Sequence, residues 1–201
     1  MWHAADLRDE DATEEAFATA ASRMEGLDGL YAVAGGSGRK HGDGPIHEIP
    51  LTGWEATIDT NLTTSFLSMR EALRHMEGGG SIVVMSSVVA MSPSPKDFAT
   101  HAYAAAKGAQ ASLVVAAAAY YAPRRIRVNA IAPGLVRTPM SERATNDPEV
   151  MSRLSHKQPL TDGPLLAEDV TSAAVYLLSD ESRAVTGQVI VVDGGWSVSG
   201  V

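Results

Sequence analysis

The chain has 201 residues, 45% of them apolar, enough for one domain with a sizeable buried core. A formal charge of −8 argues against nucleic acid, whose phosphates need a basic face, and against an anionic membrane surface. The absence of cysteine removes disulfides, thiolate chemistry and cysteine-bound metal, and fits a reducing cytoplasm. The first ten residues have neither the basic region nor the apolar run of a signal peptide. The longest apolar stretch, residues 113–122, falls well short of the roughly 20 residues that span a bilayer.

In chain order, residues 1–7 offer a short, marginal strand. Residues 11–24 predict a helix, with Asp11 as N-cap and Glu14 completing a capping-box-like pair. Residues 29–34 form a brief apolar strand. Residues 53–75 follow Pro50 with Trp54, Ile58, Leu62, Phe66 and Met69 at helical spacing, and Thr52 is the candidate cap. Residues 81–85 predict a second buried strand. Residues 103–121 predict an alanine-rich helix that ends before Pro123, and residues 126–131 a third strand. Residues 166–178 predict a last helix, its first turn holding Glu168 and Asp169 where they suit the helix dipole. Residues 188–192 predict the final strand. Strands apolar on both faces, alternating with helices, predict an α/β fold with a doubly wound parallel sheet.

Three positions carry candidate chemistry. Tyr103 and Lys107 stand at i and i+4, so both project from one helix face. An ammonium beside a phenol favours the phenolate, and a tyrosine tuned this way can exchange a proton with a substrate oxygen. The plain alternative is a helix with a solvated lysine. Ser86 and Ser87 close an apolar strand, and ligands of open α/β sheets bind outside the carboxyl ends of strands. A hydroxyl there can stabilise charge developing on a carbonyl oxygen; a loop or capping serine reads the same way. Asn61 lies inside a helical pattern, where asparagine is unfavourable. It is either an exposed polar position or a buried amide that must find partners.

Taken in order, Asn61-Leu62 with Phe66, Ser86-Ser87, Tyr103-Ala104-Ala105-Ala106-Lys107, Val128-Asn129-Ala130-Ile131-Ala132-Pro133-Gly134 and Asp193-Gly194-Gly195 resemble the short-chain dehydrogenase/reductase family and its Asn-Ser-Tyr-Lys tetrad. The likeness runs over nearly the whole chain. Within the family it is most similar to 3-ketoacyl-carrier-protein reductases and related ketone/alcohol enzymes. The resemblance implies a Rossmann-like fold and hydride transfer between NAD or NADP and a small ketone or secondary alcohol. It implies Tyr103 as general acid/base, and Lys107 as the group that lowers its pKa and binds the nicotinamide ribose. Ser87 would polarise the carbonyl, and Asn61 would hold a water in a proton relay. Pro133, Gly134, Val136 and Thr138 would line the nicotinamide side. Asp6, beside Leu7, resembles the family's adenine-contacting aspartate, and Ala34-Gly35 would bring backbone close to the ligand. The resemblance further implies a homo-oligomer built on the helices at 53–75 and 103–121; the six histidines, for their part, show no metal spacing.

Two departures stand out. The family's Asn-Asn-Ala-Gly is here Ala32-Val33-Ala34-Gly35. A full member would also place a strand, a glycine-rich turn, a helix and a second strand before Asp6. The expectation is therefore a single Rossmann-like domain over residues 1–201, lacking its first strand-helix-strand, with an impaired pyrophosphate grip and an open strand edge beside residues 29–34. That gap leaves two alternatives: a non-catalytic remnant serving as a binding or assembly module, and a dehydrogenase completed by another chain. Residues 37–44 mimic the spacing of the absent turn. Pro45 and Pro50 follow where a helix would have to start, so a flexible loop is expected. Residues 138–164 match the family's lid over the substrate, with Met140, Met151 and Leu154 facing either substrate or core, core being favoured for most. His101 reads as an exposed loop histidine or a substrate contact.

Overall fold

Apolar strand runs that alternate small β-branched side chains have to be covered on both faces, and the sheet they build here is. The computed structural model describes residues 2–199. Four parallel strands, β1 (Gly29–Ala32), β2 (Gly80–Met85), β3 (Ile126–Pro133) and β4 (Val189–Val192), lie in the order β1-β2-β3-β4. Leu30 pairs with Ile82, Val83 with Asn129, and Ile131 with Ile190. Side chains alternate across the sheet. Ile82, Val84, Val128 and Ala130 enter one core, packed under α1 (Glu10–Met24), α3 (Thr64–His75) and α4 (His101–Tyr121). Val83 and Ile131 enter the other, under α7 (Ala167–Leu178). The predicted doubly wound parallel sheet is thus present. No helix among the described residues is long and apolar enough to cross a membrane.

Several boundaries move, each for a local reason. Residues 2–7 form no strand, since nothing pairs with them, and Trp2 is exposed; Met1 lies outside the described residues. Helix α1 is capped by Asp9, whose carboxylate accepts from Ala12 N at 2.9 Å, so the expected Asp11 cap falls inside the helix. β1 stops at Ala32, and Val33 and Ala34 leave the sheet toward the site. The helix expected at 53–75 starts earlier, at Leu51, and is broken: α2 (Leu51–Ile58) passes through a π-turn at Asp59–Thr63 before α3. Pro50, without a side-chain hydrogen bond, occupies the N-cap expected of Thr52. The expected lid region carries two helices, α5 (Glu142–Thr145) and α6 (Pro148–Lys157). Within it Leu154 is buried and Met151 packs beside it, as favoured, while Met140 is exposed. β1 has no strand partner on its outer side among the described residues, and Tyr31 and Val33 are exposed there. The open edge expected from the sequence is therefore where it was placed.

Candidate active site

The carboxyl ends of β2 and β3 and the start of α4 meet in one place. Ser86 closes β2. Its N–H donates to Ile131 O at 2.8 Å and its hydroxyl to Lys107 O at 2.9 Å. This buried serine staples α4 to the strand end, a positioning task the sequence did not distinguish from that of Ser87. Ser87 lines the same cavity as Tyr103; its hydroxyl accepts from Val89 N at 3.5 Å and lies near enough to the phenol to draw its pKa down. One helical turn on, Lys107 is 3% exposed; its ammonium donates to Met85 O at 2.6 Å and lies 5.5 Å from the Tyr103 ring centroid.

Burial dominates the electrostatics. Lack of solvent around the ammonium lowers the Lys107 pKa from 10.5 to about 8. Burial raises Tyr103 above its ordinary 10, and the Ser87 hydroxyl offsets this only in part. This corrects the expectation that Lys107 depresses the tyrosine. The ammonium is committed to the Met85 carbonyl, and the phenolate would be as poorly solvated as the lysine.

Asn61 sits in the π-turn, a distortion that recurs at functional sites because it frees backbone groups from the helix ladder. It is fully buried. Its amide donates to Gly36 O at 3.0 Å and Thr57 O at 2.9 Å, and its oxygen accepts from Gly36 N at 3.1 Å. Its own carbonyl accepts from the buried Gln110 side chain on α4 at 2.9 Å. Asn61 therefore clamps the Gly35–Gly36 wall from behind and does not line the cavity. A methyl group at position 35 would stand 2.7 Å from Asn61 Oδ1 and 3.6 Å from Lys107 Nζ, so glycine is required there.

Residues 37–44 form a short 3₁₀ turn at Gly38–His41 and no phosphate loop. Their buried Asp43 reaches the free amides of α4: Oδ1 accepts from Ala102 N at 2.9 Å and Oδ2 from Tyr103 N at 3.0 Å. The sequence reading missed this carboxylate, because its partner is 60 residues away. Asp43→Ala leaves two buried helix donors unpaired, a cost of about 1–3 kcal/mol for each such group. It is expected to lower the thermal midpoint and kcat together, with Asp43→Asn, which keeps one acceptor, intermediate in both.

At the end of β3, Pro133-Gly134-Leu135 is held by Gln158, whose Oε1 accepts from Leu135 N at 2.6 Å and whose Nε2 donates to Gly163 O at 2.7 Å. A Cβ at Gly134 would collide with Gln158 Oε1 and with Asp193 backbone. Trp196, buried with its indole N–H on Ser92 O at 3.0 Å, closes the far side.

These parts enclose a cavity of about 860 Å³. Gly35, Ser87, Tyr103, Lys107, Pro133, Gly134, Val136 and Thr138, all expected at the site, line it. Asp6, Leu7, Ala34 and His101 do not. Both Asp6 oxygens are taken by Arg8, which pulls its pKa down to about 2. His101 is exposed. A smaller cleft of about 450 Å³ beside Glu25 and His75 holds none of these groups. Among the described residues no cluster of histidine and carboxylate side chains could hold a metal.

A family model described as enoyl-(acyl carrier protein) reductase matches residues 2–197. The cis-4-hydroxycyclohexanecarboxylate dehydrogenase of Sinomonas cyclohexanicum is 36% identical over 98% of this chain and 76% of its own length. The chain is a short-chain dehydrogenase/reductase. Another member, glucose 1-dehydrogenase of Gluconobacter oxydans, is 34% identical over 97% of this chain and 71% of that protein. A solved short-chain dehydrogenase/reductase of Mycobacterium ulcerans superposes with a TM-score of 0.89 at 35% identity, covering 96% of this chain and 69% of that one. These relatives make this dehydrogenase/reductase an oxidoreductase by family.

Proposed function

We propose that the chain transfers a hydride between a nicotinamide cofactor, NAD or NADP, and a small ketone or secondary alcohol. The observation that carries this reading is the cavity that Ser87, Tyr103 and Lys107 line together, with the buried ammonium 5.5 Å from the Tyr103 ring centroid. The residues present fit the nicotinamide–ribose half of such a cofactor. Lys107 spends one of its donors on Met85 O, leaving the others for a ribose diol. Gly35 and Gly134 leave the wall without side chains, where backbone can approach a flat ring. When bound, the cofactor supplies or accepts the hydride. In reduction, Ser87 donates a hydrogen bond to the substrate carbonyl, and Tyr103 passes its proton to that oxygen as the carbinol forms. In oxidation, Tyr103 takes the proton back. Asn61 acts behind the wall, keeping Gly35 and Gly36 in place, with Asp43 and Ser86 orienting the N-terminal part of α4. Asp6, Leu7 and Ala34 remain candidates for the adenine side.

Relatives that act on a ring alcohol and a sugar, by their names, support a small polar alcohol as substrate. A homo-oligomer is proposed from Trp54, Phe66, Val115 and Tyr120, exposed on α2, α3 and α4. Titrating NADH and NADPH into the chain while following nicotinamide fluorescence should give saturable binding of at least one. No binding up to millimolar concentration of either would overturn the proposal.

A further inference from the structure

The protein carries 24 acidic side chains against 16 lysines and arginines, yet no carboxylate is among the residues lining the large cavity. Its charged lining is entirely cationic: Arg39, Lys40, Lys107 and Arg143. Lys107 has the role described above; the other three have none. Arg39 and Arg143 converge. Each donates through Nη2 to the same neutral acceptor, the Asp97 carbonyl, at 3.1 and 3.2 Å. Among the described residues neither forms an ion pair with a carboxylate. The nearby carboxylates are otherwise engaged. Both oxygens of Asp97 bind Arg153, at 2.6 and 2.9 Å, and both of Asp43 bind the α4 amides. Burial, and after it the neighbouring Arg143 guanidinium, pull the Arg39 pKa down, with Asp43 acting against them.

Two like charges share one carbonyl beside a cavity without anions, and among the described residues neither is paired with a carboxylate. We infer that Arg39 and Arg143 receive an anionic group of the substrate, a carboxylate for preference, so that the substrate class is a ketone or secondary alcohol bearing an acid. Planar guanidiniums match a carboxylate with paired hydrogen bonds, and both are exposed at the cavity, where an incoming anion can reach them. The apolar part of the cavity, with Val89, Phe98, Met140 and Trp196, would hold the carbon skeleton between the acid and the reacting carbon. Identifying the anion as part of the substrate rests on the proposed function. A phosphate of the cofactor is the other source of the same chemistry.

The test is calorimetric titration of the chain with cyclohexanecarboxylate and with cyclohexanecarboxamide, which share shape and differ in charge. The carboxylate is expected to bind about 10–100-fold more tightly, the range that charged hydrogen bonds supply. That preference should vanish in the Arg39→Met/Arg143→Met double variant, survive in part in Arg39→Lys/Arg143→Lys, and persist in Tyr103→Phe. Equal affinities, no saturable carboxylate binding, or a preference untouched in the Met variant would overturn the inference. So would a Met variant that loses NADH affinity but keeps the preference, since the pair would then serve the cofactor. Reduction of cyclohexanone, a neutral ketone, tests the proposed function separately. If neither it nor a carboxylate-bearing cyclic ketone is reduced while the carboxylate preference stands, the anion site survives and the reaction does not.

Discussion

Replacing Tyr103 with phenylalanine is expected to cut kcat by about 10²–10⁴-fold, the contribution of a positioned acid/base, while leaving the fold intact. In the proposed reaction the phenol exchanges the proton, and it lines the cavity with Ser87. The ring itself stays to fill its place, and the helix amide of residue 103 keeps its bond to Asp43. Circular dichroism and the thermal midpoint should therefore match the unaltered protein. NADH affinity should change little, since Lys107 and the glycine wall are untouched. A variant that retained more than about a tenth of the turnover would remove the tyrosine from the chemistry, because acid/base catalysis is worth at least ~10²-fold.

Lys107→Met separates function from stability. A lysine whose pKa is about 8 when folded and 10.5 otherwise makes the unfolded state the better proton binder between those values. Stability is then lowest, and flat, below pH 8. It rises as pH climbs from 8 to 10.5, and the full difference is about 3 kcal/mol. Methionine removes that cost at neutral pH but orphans the Met85 carbonyl, roughly 1–3 kcal/mol in the opposite sense. Urea midpoints at pH 7 are thus expected to be unchanged or higher in the variant. Across pH 8 to 10.5 the unaltered protein alone should gain about 3 kcal/mol, so that it ends the more stable of the two. Turnover should fall by about 10²-fold or more, as when other fixed electrostatic partners are removed. A pH-independent stability difference would mean that burial does not hold the ammonium at a cost. A chain kept only as an assembly module has no use for a buried ammonium beside a phenol, and nothing else in the site favours that alternative.

The order of strands and helices was legible because the core is written locally: Ile82 to Val84 and Val128 to Ala132 have to be covered on both faces. The residues that share the cavity were legible because i,i+4 spacing on one helix brings Tyr103 and Lys107 together, and because Ser87 follows a strand. What stayed hidden depends on long-range partners. Asp43 looks like a loop aspartate until α4 presents its amides. The π-turn at Asn61 has no composition signal, since it arises from where Gln110 and Gly36 draw hydrogen bonds. The direction of the Tyr103 shift was misjudged because spacing gives proximity and not burial. Arg39 and Arg143 stand over 100 residues apart in sequence and meet only through Asp97.

The most direct measurement uses nicotinamide cofactor carrying deuterium at the transferring carbon, incubated with the chain and a ketone, with the alcohol product read by mass spectrometry. The account predicts one deuterium on the carbinol carbon, lost with Tyr103→Phe. Cofactor that binds but yields no labelled alcohol, from neutral and carboxylate-bearing ketones alike, would contradict it.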